Sequence, residues 1–122
     1  MKLQALFDLA VKLGMENDPR PKKELEELLK KRKKQFDKMD KDEQQYYDQE
    51  LLKNPFYDSR ILNTADPGRE IKTIFVGIDM EEPQLHLAAE LNRQGEKIDL
   101  VMGHHPEGPS LLGLGGDMLL QH

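Results

Sequence analysis

Two adjacent histidines, His104 and His105, are the residues of this 122-residue chain best suited to metal chemistry. Neutral imidazole binds zinc, iron, nickel and copper. The pair follows an apolar segment with the composition of a strand, and ligands of open α/β sheets bind beyond the carboxyl ends of parallel strands. The alternative is that one or both histidines are ordinary loop residues. Because location and residue type agree, we predict a metal site at this pair.

The adjacency of the two histidines predicts whether they bind one metal ion or two. Neighbouring side chains of extended backbone point to opposite sides, so the pair is a poor chelate for one ion. Each imidazole can instead reach a different ion of a pair about 3.5–4 Å apart. Gly103 permits a close backbone approach, and Pro106 disfavours helical backbone at His105. We therefore expect a splayed arrangement that serves two ions.

Other polar residues are weaker candidates. Asp79 is expected to cap the helix that follows it, with two alternatives: a metal ligand, or an acceptor for an imidazole N–H. Glu107 is expected to be a solvated loop carboxylate, with approach to a metal as the alternative. His86 is expected to be a surface residue of a helix. Asp117 and His122 lie five positions apart, which is not the spacing of a helical chelate, so neither is predicted to be a ligand.

The elements around the histidines predict an α/β fold. Residues 71–78 are rich in β-branched side chains, residues 83–94 have helical periodicity between a proline and Gly95, and residues 98–102 are a second apolar strand. Strand, helix and strand within about 30 residues form a βαβ unit with parallel strands. Residues 59–63 are expected to form a hairpin with the first strand, through a type II turn at Asp66-Pro67-Gly68. The glycine-rich tail is assigned no regular element.

The amino-terminal part is predicted to be helical. Residues 3–13 form an amphipathic helix that Gly14 ends, and a long helix runs from Pro21 to about Met39. Asp42 and Gln45 resemble a capping pattern, so a further helix is expected over residues 42–52.

Composition separates a charged helical region, residues 1–54, from a metal-binding α/β region, residues 55–122. The chain has no cysteine, so metal ligands must be histidines and carboxylates. The net charge of −5 argues against general nucleic-acid affinity. The basic run at 30–34 is surrounded by acidic residues, and no aromatic residue interleaves with it, so we expect a solvated helix face. The alternative is contact with nucleic acid or an anionic surface.

No stretch of the sequence has the length of a membrane span or the pattern of a signal peptide. We therefore expect a cytoplasmic protein with no membrane partner.

The segment VGIDMEEPQLHLAAELNRQGEKIDLVMGHHPEG, residues 76–108, resembles the amino-terminal signature of the NIF-three-like family, also described as GTP cyclohydrolase I type-two-like proteins. The preceding NPFYDSRIL resembles the long bacterial branch of that family. The resemblance implies a dinuclear centre of two divalent transition metal ions (zinc, iron, manganese or nickel), to which His104 and His105 each contribute. It implies a homo-oligomeric, metal-dependent hydrolase that acts on a nucleotide or phosphoester-like small molecule. The alternative is a non-catalytic metal-binding or protein-interaction module.

The resemblance also implies ligands that this sequence does not contain. The remaining family ligands are a later Asp and a His/Glu pair near the far carboxyl terminus. We therefore expect residues 1–122 to be an incomplete part of a larger α/β fold, and to be inactive alone.

Overall fold

The computed structural model describes residues 1–120, and its class is mixed α/β, as the sequence predicts. The helices and strands, in chain order, are α1 (Leu3–Asn17), α2 (Lys22–Phe36), α3 (Lys41–Tyr46), β1 (Ile74–Gly77), α4 (Glu82–Arg93), β2 (Leu100–Gly103) and α5 (Pro109–Leu120). A short 3-10 turn, Gln49–Leu52, follows α3. Among these residues, no helix combines the length and apolar character needed to cross a membrane.

The chain divides into two compact units. A helical unit comprises residues 9–57, and an α/β unit comprises residues 1–8 together with residues 58 onward. Helix α1 therefore contributes its first residues to the α/β unit and its remainder to the helical unit.

Arg32 organises the helical unit. It lies on the same side of α2 as the buried Leu25 and is only 4% exposed. Its guanidinium lies 4.3 Å from the centre of the Tyr57 ring. It also donates hydrogen bonds to three carbonyl oxygens, those of Leu51 (3.2 Å), Asn54 (3.0 Å) and Pro55 (3.2 Å). Burying a polar group costs free energy unless it is hydrogen-bonded, so these bonds and the ring contact hold residues 51–57 against the Arg32 side chain.

The sequence predicted that Gly14 ends α1. This is wrong, because the helix continues to Asn17. A Cβ on Gly14 would lie 2.9 Å from Cε2 of the Phe56 ring, which is closer than real Cβ contacts. The glycine is therefore explained by close packing against an aromatic ring rather than by a helix end.

The predicted helix over residues 42–52 begins one residue earlier and is interrupted after Tyr46, and only a short 3-10 turn, Gln49–Leu52, follows. The capping residue is Asp40, whose carboxylate accepts from the backbone N–H groups of Asp42 and Glu43, while the Glu43 side chain accepts from the Asp40 N–H. Helix α3 ends after Tyr46, because Tyr47 has extended backbone.

Helix α2 is shorter than predicted and ends at Phe36. The Gln44 side chain donates to the carbonyl oxygens of Phe36 (3.0 Å) and Met39 (3.2 Å), which satisfies acceptors that a continuing helix would use.

The βαβ unit is confirmed, and its strands are parallel, with Ile74 paired to Leu100 and Gly77 to Gly103. Helix α4 ends as predicted, since Gly95 has a φ of 109°. Asn92 and Ile98 exchange two hydrogen bonds, of 2.8 and 3.2 Å, which tie the end of α4 to the start of β2.

The predicted hairpin is wrong. Residues 59–63 form no strand, and the amino terminus pairs instead with the segment before β1. The Ile71 N–H donates to the Met1 carbonyl oxygen (2.7 Å), and the Leu3 N–H donates to that of Arg69 (3.2 Å). Residues 66–69 do form a turn, closed by the Arg69 N–H on the Asp66 carbonyl oxygen (3.2 Å). Gly68 lacks the positive φ of a type II turn.

Helix α5 occupies the tail for which the sequence pattern indicated no regular element. Ser110 is buried near its first residue, and its hydroxyl donates to the Glu107 carbonyl oxygen (2.7 Å). Asp117 accepts from the Asp58 N–H (2.8 Å). These contacts outweigh the low helix propensity of the glycines, which is a weak determinant on its own.

Candidate metal centre

The parallel register brings two polar segments together at the carboxyl ends of the strands. Beyond the pair Gly77 and Gly103, backbone hydrogen bonds continue, since the His104 N–H donates to the Gly77 carbonyl oxygen (2.9 Å). The His105 N–H donates to the Ile78 carbonyl oxygen (2.8 Å). Two residues past each strand, the register therefore places Asp79 beside His105.

Asp79 contacts the His105 ring directly. Its Oδ1 lies 2.7 Å from Nδ1 of the imidazole, and both side chains are about half exposed. The predicted role of Asp79 as a helix cap is wrong, because the N-cap residue of α4 is Glu81, which makes no side-chain cap. Asp79 instead has the geometry of the predicted alternative, an acceptor for an imidazole N–H.

This contact fixes which ring nitrogen of His105 is available. With the imidazole neutral, the carboxylate favours the tautomer that carries its proton on Nδ1, because only that tautomer can donate to it. The lone pair is then on Nε2. A carboxylate that orients an imidazole in this way is the usual support of a metal-ligating histidine.

His104 lies beside His105 rather than splayed away from it. The two ring centres are 5.2 Å apart, with the ring planes inclined at 36°. The expected splay is absent because both backbone N–H groups converge on the Ile78 carbonyl oxygen, at 3.1 and 2.8 Å, which bends the chain. Both histidines are exposed, so neither belongs to the core.

The paired glycines and Met80 shape the loop that carries Asp79. A Cβ on Gly103 would lie 3.4 Å from Met80 Cβ and Cγ, and a Cβ on Gly77 would overlap Met80 Cε. Sequence reasoning overlooked Gly77 and Met80. The only signal was that each strand ends in a glycine.

Asp99 sets the register from the opposite ends of the strands. Its carboxylate accepts from the Arg69 guanidinium (2.9 Å) and from the backbone N–H groups of Lys72 (3.0 Å) and Thr73 (3.1 Å). The Arg69 hydrogen bond, followed by the two backbone N–H bonds, lowers the pKa of Asp99 to about 2. The same bonds occupy the N–H groups of residues 72 and 73, which explains why β1 starts later than predicted.

The remaining predicted residues lie apart from this pair. His86 is exposed on α4, as predicted, with Nε2 3.3 Å from Glu82 Oε1. Glu107 is partly buried rather than fully solvated, and its backbone is tied to Ser110. His122 lies outside the described residues.

The donor set fits a transition metal but is small. Imidazole nitrogen and carboxylate oxygen suit zinc, iron, manganese or nickel. Within residues 1–120, however, no three His, Asp or Glu side chains converge on one metal position. A catalytic zinc site uses about three protein ligands. The described residues therefore provide a partial donor set.

No family model, curated protein or solved structure matches the chain. The resemblance to the NIF-three-like family therefore stays a prediction that rests on the residues themselves.

Proposed function

We propose that this chain is the amino-terminal part of a NIF-three-like dinuclear metal protein. In this proposal His104 and His105 bind divalent transition metal ions, and the complete protein is a hydrolase of nucleotide or phosphoester-like substrates. The observation that carries the proposal is the 2.7 Å contact between Asp79 and Nδ1 of His105. It leaves Nε2 as a free donor atom at the carboxyl end of a parallel strand.

The proposal assigns separate tasks to the chain's own residues. Asp79 accepts a hydrogen bond from the Nδ1 N–H and holds the ring in one orientation, with Nε2 directed away from the carboxylate. His104 supplies a second imidazole nearby. A metal ion bound there would act as a Lewis acid and activate water.

The charge of the surrounding segments supports a cation as first occupant. Residues 78–82 and 104–107 contain four acidic residues, Asp79, Glu81, Glu82 and Glu107, and no lysine or arginine. Such a site attracts a metal ion and repels a bare phosphate. A phosphoester substrate would therefore depend on the metal for binding as well as for chemistry.

One observation favours the second candidate function, a non-catalytic metal-binding or interaction module. The described residues bring no third ligand to the histidines. A pair of imidazoles with one orienting carboxylate can bind a metal weakly without supporting turnover.

Metal titration tests the binding half of the proposal. We expect the chain to bind Zn²⁺ by calorimetry and Co²⁺ by visible absorption. His105→Ala should abolish most of this signal, and Asp79→Asn should weaken affinity about 10–100-fold. His86→Ala is the matched control, because His86 is also exposed beside a carboxylate and should leave affinity unchanged.

The hydrolase half is tested on the gene product that carries the further Asp and His/Glu pair, with bis(p-nitrophenyl) phosphate as substrate. We expect metal-dependent turnover there and none from residues 1–122. Metal uptake without turnover in that protein would favour the binding module. An absence of metal uptake, or equal losses in His86→Ala and His105→Ala, would contradict the metal site itself.

A further inference from the structure

Helix α2 separates the basic run of residues 30–34 into side chains with different environments. Arg32 points into the helical unit and is buried. Lys33 is paired with Asp37 at 2.7 Å, and its ammonium lies 5.3 Å from the centre of the Phe36 ring. Lys30, Lys31 and Lys34 are exposed. The sequence shows one continuous basic run, whereas the helix presents only part of it to solvent.

Four exposed lysines form a row along α2 and the turn after it; this lysine ridge consists of Lys30, Lys31, Lys34 and Lys38. In the described part of the chain, none of the four has a carboxylate within ion-pair distance. The earlier lysines of the helix are neutralised locally, since Lys22 pairs with Glu26 and Lys23 with Glu27. The ridge borders an open groove of about 420 Å³, lined by Glu27, Lys30, Lys31, Lys34, Gln35 and Lys38.

The ridge lies on the side of α2 opposite its buried residues, Leu25 and Arg32. Lys30 and Lys31 are adjacent, and Lys34 and Lys38 follow three and four residues further along. At about 1.5 Å per residue, the ridge is roughly 12 Å long. A nucleic-acid strand in a duplex presents one phosphate about every 3.4 Å along the axis, so the ridge can face roughly three or four phosphates.

Other polyanions fit the ridge less well. An acidic helix would gain only about 0–1 kcal/mol per exposed lysine–carboxylate pair. An anionic membrane surface favours apolar side chains beside the lysines, yet Leu25 of α2 is buried and Glu24 and Glu27 flank the ridge. Duplex binding additionally gains the release of condensed counterions.

We propose that the lysine ridge binds the phosphate backbone of a nucleic-acid duplex, without sequence preference. Phe36 is the one aromatic residue between Lys30 and Lys38, and its partly buried ring packs against Tyr47 rather than lying open for bases to stack on. Lysine also acts as a point charge rather than as a fork for base edges. The binding is weak, because the whole chain carries a charge of −5. The expectation against nucleic acid rested on the net charge and on the acidic residues around the basic run, whereas the structure shows that nearby acids pair with Lys22, Lys23 and Lys33 rather than with the ridge.

Fluorescence anisotropy with a labelled DNA duplex of about 20 base pairs tests this proposal, over about 20–200 mM salt. We expect the logarithm of the affinity to fall against the logarithm of salt with a slope of about −3 to −4 for four contacts. Lys31→Gln/Lys34→Gln should flatten the slope by about 2. Lys72→Gln/Lys97→Gln is the matched control, because it removes the same charge from exposed lysines outside α2 and should change the slope little.

Circular dichroism should show that both double variants fold like the parent chain, since all four substitutions are at exposed positions. Three outcomes would overturn the proposal. The first is no binding at the lowest salt. The second is an equal effect of both double variants, which would show that only net charge matters. The third is binding to phosphatidylserine vesicles or to poly-aspartate at least as tight as to the duplex.

Discussion

The two units stabilise their polar groups in different ways. In the helical unit, the Arg32 side chain is buried and donates to three carbonyl oxygens. In the α/β unit, the Asp79–His105 pair is half exposed, and apolar side chains of the strands are open to solvent: Val76 is 60% exposed and Met102 43%. Buried polar networks fix a unique local structure, whereas an exposed pair depends on the backbone that carries it. We therefore expect stability to depend mainly on buried side chains in the helical unit. In the α/β unit we expect it to depend mainly on the backbone and its strand register.

The largest predicted effect is that of Arg32→Ala. The change leaves three acceptors in or near the core without their donor, and each unsatisfied buried acceptor is costly. We expect a loss of about 3 kcal/mol in the free energy of unfolding of the helical unit, measured by urea denaturation. Lys33→Ala, next to it on the exposed side, should cost less than about 0.5 kcal/mol. Similar costs for the two variants would show that the buried Arg32 hydrogen bonds do not stabilise the helical unit.

Gly77→Ala tests how strongly the α/β unit depends on its backbone. The new methyl group would overlap Met80 Cε, so the loop that carries Asp79 must shift. We expect a loss of about 1–3 kcal/mol, together with weaker Zn²⁺ binding. Gly115→Ala is the control, because a Cβ there meets no atom within 4 Å and alanine favours the helix. Gly77→Ala/Met80→Ala should recover part of the Zn²⁺ affinity; failure to do so would exclude Met80 as the cause.

Phe36→Ala is expected to cost less than the roughly 3 kcal/mol of a fully buried aromatic residue. The ring is only partly buried and packs against Tyr47 in the same unit, with ring centres 5.2 Å apart. We expect a loss of about 1–2 kcal/mol in denaturant melts. Tyr46→Ala should have little effect, because Tyr46 is 86% exposed. An unchanged melt for Phe36→Ala would indicate that the ring serves a partner instead.

The smallest predicted effect is the pH dependence due to Asp99. Its pKa is about 2 in the folded chain, below the ordinary value of 3.8. The stabilisation is therefore fully present above about pH 4 and is lost as pH falls towards 2. Asp99→Asn should make the melting temperature depend less on pH in that window. Glu96→Gln, an exposed substitution in the same unit, is the control. An unchanged slope would show that Asp99 does not hold the register.

Sequence patterns predicted the elements whose signals are local. The βαβ unit, the helix end at Gly95 and the location of the histidines after a strand follow from periodicity and glycine placement. The patterns missed the effects of distant residues. The amino terminus, rather than residues 59–63, pairs beside Ile71, and Asp99 takes N–H groups that the predicted strand would have used. The contact of Asp79 with His105 depends on the register between two strands, which neither segment encodes alone.

The protonation of the His105 ring is the most direct test of the proposed metal site. Long-range proton–nitrogen NMR of the neutral imidazole distinguishes the two tautomers and reports which nitrogen binds an added ion. We predict a proton on Nδ1, held by Asp79, and a shift of the Nε2 resonance when Zn²⁺ is added. Asp79→Asn should weaken both signatures, while His86 should show neither. A proton on Nε2 of His105, with no response of the ring to Zn²⁺, would contradict the metal site.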